Sequence, residues 1–137
     1  MKKRDLGMLI AVCLIVFGLP FTALAEEGVT DTTIRIGQWG PQTGPAAPWG
    51  AVARGTGAYF QMINDEGGIA GRKIEYSMFD DGYNPAKTVE QVRKLVEQDE
   101  VLLVFQPLGT PSNSAIHKYM NQKKVPQLFV ATGATKW

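Results

Sequence analysis

Two scarcities shape the 137-residue sequence: it has one cysteine and one histidine. Cys13 lies in the first 25 residues, which have the three-part layout of a secretory signal. Lys2, Lys3 and Arg4 form a basic start, Leu6 to Leu19 an apolar middle, and Ala23-Leu24-Ala25 a small-residue cleavage site. That middle is shorter than the roughly 20 residues a bilayer span needs, and Pro20 closes it, so cleavage after Ala25 is expected rather than an anchor. The exported, periplasmic chain then carries no thiol, which excludes disulfides, thiol catalysis and thiolate metal sites.

Excess charge of either sign is also missing. Against 14 basic and 13 acidic residues the net charge is +1, and removing the signal takes away three basic residues and Asp5, leaving −1. Nucleic acid is not an expected partner of such a surface. His117 has no cysteine or second histidine with which to share a metal, so neither metal nor cofactor is expected, and it reads as a solvated helix residue. No serine has a histidine and a carboxylate at triad spacing. Asp80 and Asp81 are adjacent, and neighbours in an extended strand point to opposite faces, so they read as turn formers rather than an acid/base pair. An enzyme is therefore not expected.

What is present alternates in period. The 112 residues after the signal suffice for one small domain. "TIRIGQW" (33–39) reads as a strand, followed by the loop "GPQTGPAAPWG" (40–50). A helix is expected over 50–64, with Val52, Thr56, Tyr59, Phe60 and Ile63 on one face, and "EGG" (66–68) stops it. "KIEYSMF" (73–79) is the second strand; Asn84 can cap the next helix, Pro85 can start it, and Val89, Val92, Leu95 and Val96 supply its apolar face. "VLLVF" (101–105) lacks alternation and suits a central strand covered on both faces. A helix over 111–123 presents Ala115, Ile116, Tyr119 and Met120, and "QLFVA" (127–131) is the fourth strand.

This order implies an α/β fold: an open parallel sheet with right-handed crossovers and strand order 2-1-3-4. Ligands of such sheets sit beyond the carboxyl ends of the strands where the order reverses, here between strands 1 and 3. The loop 40–50 and the stretch "FQPLGTPSNSAI" (105–116) meet there. That stretch lacks the GxxxxGK[ST] spacing of a phosphate loop, and "GQWGPQTG" is no dinucleotide fingerprint. A weaker anion site remains, with Thr110 as helix cap, Pro111 at the first helical position and the N–H groups of Ser112 and Asn113 free. Trp39, Trp49 and Trp137, with Tyr83, fall at the same sheet edge and suit an apolar or aromatic ligand body.

Residues 63–101, "INDEGGIAGRKIEYSMFDDGYNPAKTVEQVRKLVEQDEV", resemble the periplasmic solute-binding proteins of the leucine/isoleucine/valine-binding family, which deliver ligand to ATP-driven importers. The shared features are an asparagine before an acid, GGI, a strand ending in DD, an NP helix start and a helix ending K-L-V. Similarity continues from "IRIGQWGPQTGP" to "ATGATKW". The resemblance implies a Rossmann-like first lobe of a two-lobed receptor, a small-molecule ligand such as an amino acid or an aromatic or aliphatic carboxylate, and a membrane permease as partner. It implies ligand contacts at Gly109 and Thr110 after strand 3 and at Thr132, Gly133 and Ala134 after strand 4, and candidate contacts also include Trp39, Trp49, Tyr83 and Gln106. Amino-acid binders often have serine where Gly109 stands. Only the front part of such a receptor is covered, so a truncated chain with exposed apolar surface on strands 3 and 4, binding weakly or not at all by itself, is expected. A ligand-sensing receptor domain and, less favoured, an exported α/β enzyme are the alternatives.

Overall fold

The computed structural model describes residues 26–137, so the signal reading of residues 1–25 lies outside the described residues. Four strands form one parallel sheet: β1 (Thr33–Gly40), β2 (Lys73–Asp80), β3 (Leu103–Phe105) and β4 (Gln127–Leu128), in the order β2-β1-β3-β4. Helices α1 (Ala51–Asp65), α2 (Pro85–Glu97) and α3 (Thr110–Lys123) make the crossovers, and a single 3-10 turn over Ala47–Gly50 precedes α1. The α/β class and strand order agree with the sequence reading.

Local chemistry sets the helix ends. Asn84 adopts an extended conformation and its Oδ1 accepts the backbone N–H of Ala86 at 2.9 Å, while Pro85 opens α2 with a φ already suited to a helix. α1 stops where Gly67 and Gly68 take φ of +113° and +82°, a region that costs a side-chain-bearing residue strain.

Strand alternation sorts the core into two faces. On one, α2 and α3 pack against the sheet around Trp39, Leu95, Val104, Ile116 and Met120. On the other, α1 covers Ile36 and Ile74 with Phe60, and Tyr76 and Phe105 pack edgewise or tilted against the Phe60 ring. The buried stripe of α1 is Ala53, Thr56 and Phe60; Val52 and Tyr59, expected on that face, are exposed. Small residues determine this rotation: a Cβ on Gly57 would lie 3.2 Å from the Tyr76 ring, so the helix approaches the sheet along its Ala53–Gly57 side. On α3, Ala115 likewise faces solvent, and Ser112 and Asn113 are buried in addition to Ile116 and Met120.

β3 and β4 are shorter than the sequence suggests. Gln106 and Phe129 both adopt left-handed φ, +50° and +54°, which interrupts the regular strands after Phe105 and Leu128; pairing resumes only at a single Leu108–Ala131 bridge. Phe129 is 71 % exposed and Leu128 39 %, with Phe129 packed against Phe105 alongside α1. Apolar surface on the α1 side of strands 3 and 4 is thus uncovered among the described residues, as the sequence indicates.

Candidate functional site

At the carboxyl ends of β1, β3 and β4 lies a cavity of about 570 Å³, a size that suits a small organic ligand. Trp49, Ala46 and Val52 form the wall from the β1 loop and the start of α1. Tyr83 enters from the turn after β2, while Leu108, Gly109 and Thr110 form the strand-3 wall, and Ala131, Thr132 and Gly133 the strand-4 wall.

Two adjacent carboxylates build this rim in different ways. Asp80 Oδ1 accepts the N–H groups of Gln42 (2.7 Å) and Gly82 (2.9 Å), and its Oδ2 accepts the Thr43 hydroxyl (2.5 Å), fastening the start of the loop that carries Trp49. Partial desolvation pushes the Asp80 carboxyl upward, but the Thr43 hydroxyl and the Gln42, Gly82 and Thr43 backbone donors outweigh it and bring its pKa down to about 2. Because the folded carboxyl is the stronger acid, its contribution to stability is complete above the unfolded value of 3.8 and is lost as pH falls toward about 2. The stability difference between the protein and Asp80→Asn should therefore shrink between pH 5 and pH 2 in urea melts. A difference that stays constant over that range would contradict the assignment.

Asp81 is fully buried. Its Oδ2 accepts the hydroxyls of Thr88 at 2.7 Å and Ser112 at 2.9 Å, and its Oδ1 accepts the Tyr83 N–H at 2.9 Å. Thr88 and Ser112 also touch each other at 2.8 Å. One carboxylate thereby ties the end of β2, the first turn of α2 and the start of α3, and holds Tyr83 at a φ of +61°. Both aspartates are turn formers, as their spacing suggests, but the Asp81 cluster has no local sequence signal: Ser112 comes from 31 residues away.

Gly109 caps α3 with a φ of +109°, and its N–H donates to the Ala131 carbonyl at 3.0 Å, joining the two strand ends. Thr110, expected as the cap, is inside the helix; its hydroxyl instead meets that of Thr132 at 2.5 Å across the cleft floor. The Asn113 N–H, expected to be free, donates to the Gly109 carbonyl at 2.9 Å.

Of the residues expected at the site, Trp49, Tyr83, Gly109, Thr110, Thr132 and Gly133 line the cavity. Trp39 does not, because alternation along β1 turns it, with Arg35 and Gly37, toward α2 and α3, where it is fully buried in the core. Gln106 points the other way, its Oε1 accepting the Thr56 hydroxyl at 2.6 Å and its carbonyl accepting Gln38 Nε2 at 2.8 Å. Tyr76 donates its hydroxyl to Gln38 Oε1, so these side chains form a partly buried polar cluster beneath α1, outside the cavity wall. Ala134 lies outside the cavity wall but its N–H donates to Thr132 Oγ1 at 3.1 Å, orienting that hydroxyl. Trp137 packs edgewise on His117, 6.2 Å between ring centres, and His117, half-buried, has Nδ1 2.9 Å from the Ser114 carbonyl oxygen. Ala46, Val52, Leu108 and Ala131 are the lining residues that sequence reasoning missed; apolar residues in loops carry no signal separating a wall from a core position.

A family profile described as periplasmic binding protein matches residues 33–137. The chain belongs to that family. Among relatives of this periplasmic binding protein, an amino acid binding protein of Pseudomonas aeruginosa is 35% identical over 99 residues, covering 72% of this chain and 25% of the relative. A possible leucine/isoleucine/valine-binding protein from Rhodopirellula baltica superposes with a TM-score of 0.71 at 28% identity, covering 82% of this chain and 30% of that one. A fatty acid ABC transporter substrate-binding protein from Thermomonospora curvata gives 0.64 at 34% identity, covering 73% and 26%. The chain thus spans about a quarter to a third of the length of the relatives it matches.

Proposed function

We propose that this periplasmic binding protein is the substrate-binding component of an ABC importer, exported by a signal cleaved after Ala25, and that residues 26–137 form its N-terminal ligand-binding lobe. The observation that carries the reading is the cavity itself: it opens at the strand ends where the sheet order reverses, and its strand-3 and strand-4 walls meet through the Gly109–Ala131 and Thr110–Thr132 hydrogen bonds. Its occupant is an amino acid or a similarly sized carboxylate, in keeping with the relatives' names. Chemistry is not part of the role, since the two aspartates at the rim are committed to loop and helix positioning. A membrane permease is the partner, and closure of a second lobe would complete the binding of the ligand.

Incubation with a panel of branched, aromatic and short-chain acids at millimolar concentration tests this by thermal shift, because a ligand that binds only the folded state raises Tm by mass action. At least one carboxylate should stabilise the protein and be recovered chemically unchanged. Conversion of the ligand without any partner protein, or no shift with any carboxylate for the complete two-lobed receptor, would overturn the reading.

A further inference from the structure

Asp81–Gly82 is the only Asp–Gly pair in the sequence, which has no Asn–Gly. Such a pair carries an internal reaction of its own, because glycine puts no side chain between its amide nitrogen and the preceding carboxyl group. The Gly82 nitrogen bonds to Asp81 Cγ, the amide proton and the carboxyl O–H leave together as water, and a five-membered succinimide results. Water then adds back. Opening at the side-chain carbonyl restores aspartate, whereas opening at the main-chain carbonyl leaves isoaspartate, with the chain running through the former side chain and one methylene longer. Mass is conserved over the two steps, and water is the only co-reactant.

In the folded chain each participant is already engaged. The Gly82 N–H donates to Asp80 Oδ1 at 2.9 Å. Asp81 Oδ2 accepts the Thr88 and Ser112 hydroxyls at 2.7 and 2.9 Å, and Oδ1 accepts the Tyr83 N–H at 2.9 Å. Thr88 and Ser112 stand on α2 and α3, so the carboxylate is anchored to the helical layer, and ring closure requires Cγ to leave them for the Gly82 nitrogen. Both residues are fully buried, so the hydroxyls left behind have no solvent to turn to.

The same arrangement shows what the reaction would undo. In isoaspartate the former side-chain carboxyl carbon is the peptide carbonyl, and the free carboxylate grows from the α-carbon instead. The link between the end of β2, α2 and α3 is then lost. So is the acceptor that holds Tyr83 at a φ of +61°, where its Cε2 lies 2.9 Å from the place a Cβ on Gly109 would take in the cleft wall.

We propose that Asp81–Gly82 is a latent isomerisation site, kept closed by the hydrogen bonds on Asp81 from Thr88, Ser112 and Tyr83 and on Asp80 from Gly82, and that isoaspartate at 81 releases Tyr83 from the cleft edge. None of this depends on which solute the cleft takes. The full chain is aged at neutral pH, folded and in urea above its unfolding midpoint, and isoaspartate at 81 is followed by peptide mapping with electron-transfer fragmentation. The unfolded chain should form it at least about tenfold faster than the folded one. Thr88→Val and Ser112→Ala each leave two donors on the carboxylate and should raise the folded-state rate about threefold or more. The unsubstituted protein in enough urea to match each variant's unfolding free energy should accelerate less, since urea loosens the fold without removing a donor. Equal acceleration in that control, or equal rates in the folded and unfolded chains, would overturn protection by the cluster. Absence of isoaspartate at 81 from the urea-unfolded chain would overturn the site itself. In the isomerised fraction, separated by chromatography, the Tyr83, Gly109 and Ser112 amide resonances should be displaced from those of the unmodified chain, and their coincidence would overturn the effect on the cleft edge.

Discussion

Replacing Asp81 with alanine should lower the unfolding free energy by about 2–4 kcal/mol, the sum expected from losing charge-assisted hydrogen bonds and leaving buried donors without an acceptor. The carboxylate is fully buried and takes three donors, from Thr88, Ser112 and Tyr83. Thr88 and Ser112 stay in contact with each other, and without the carboxylate the single Thr88 hydroxyl proton can turn to the Asn84 carbonyl 3.0 Å away, which keeps the loss below that of a wholly orphaned cluster. Urea unfolding with an unchanged m-value is the measurement. Thr88→Val should cost less, about 1–2 kcal/mol, because Ser112 and Tyr83 still satisfy the carboxylate. A loss under about 0.5 kcal/mol for Asp81→Ala would mean that water reaches the carboxylate, and the positioning role given to it would fall. The same variant bears on function, since Asp81 fixes both the Tyr83 turn and the start of α3.

Leu95→Ala should be at least as severe, about 3–5 kcal/mol, from lost apolar burial and the cavity left behind. Leu95 is fully buried at the centre of the α2/α3 side of the core. Its methyl groups reach the backbone of β1 so closely that a Cβ on Gly37 would lie 2.9 Å from Leu95 Cδ2. At Gly37 the wall beside Leu95 is strand backbone, which collapses poorly into the space. Leu95→Met, which roughly conserves volume, should cost less than about 1.5 kcal/mol in the same urea titration. Equal losses for alanine and methionine would show that side-chain shape rather than volume sets the cost.

The tryptophans show how far sequence reading reaches. Their position at the carboxyl edge of the sheet follows from element order, yet the edge holds three different environments. Trp39 is the last apolar residue of a strand and goes with the strand's alternation into the core; Trp49 stays on a loop pinned by Asp80; Trp137 lies against His117. Counting aromatics at an edge cannot separate these, because the direction of a side chain depends on pairing register and on which face the neighbouring helices cover. Gln106 illustrates the same point: it follows β3 directly, but its left-handed backbone and the Thr56 hydroxyl turn it beneath α1.

The sequence by itself determined the strand order, the α2 cap at Asn84, the glycine stop after α1 and the sheet edge at which the cleft lies. Those features depend on period, local turn chemistry and the handedness of crossovers, all of which act over short stretches of chain. The tertiary structure decided which rings reach the cleft, which residues rotate α1 onto the sheet, and how Asp81 gathers Thr88 and Ser112 into one buried cluster. Each of those depends on groups brought together from distant segments, whose packing and hydrogen-bond partners exist only once the sheet and helices have closed on one another.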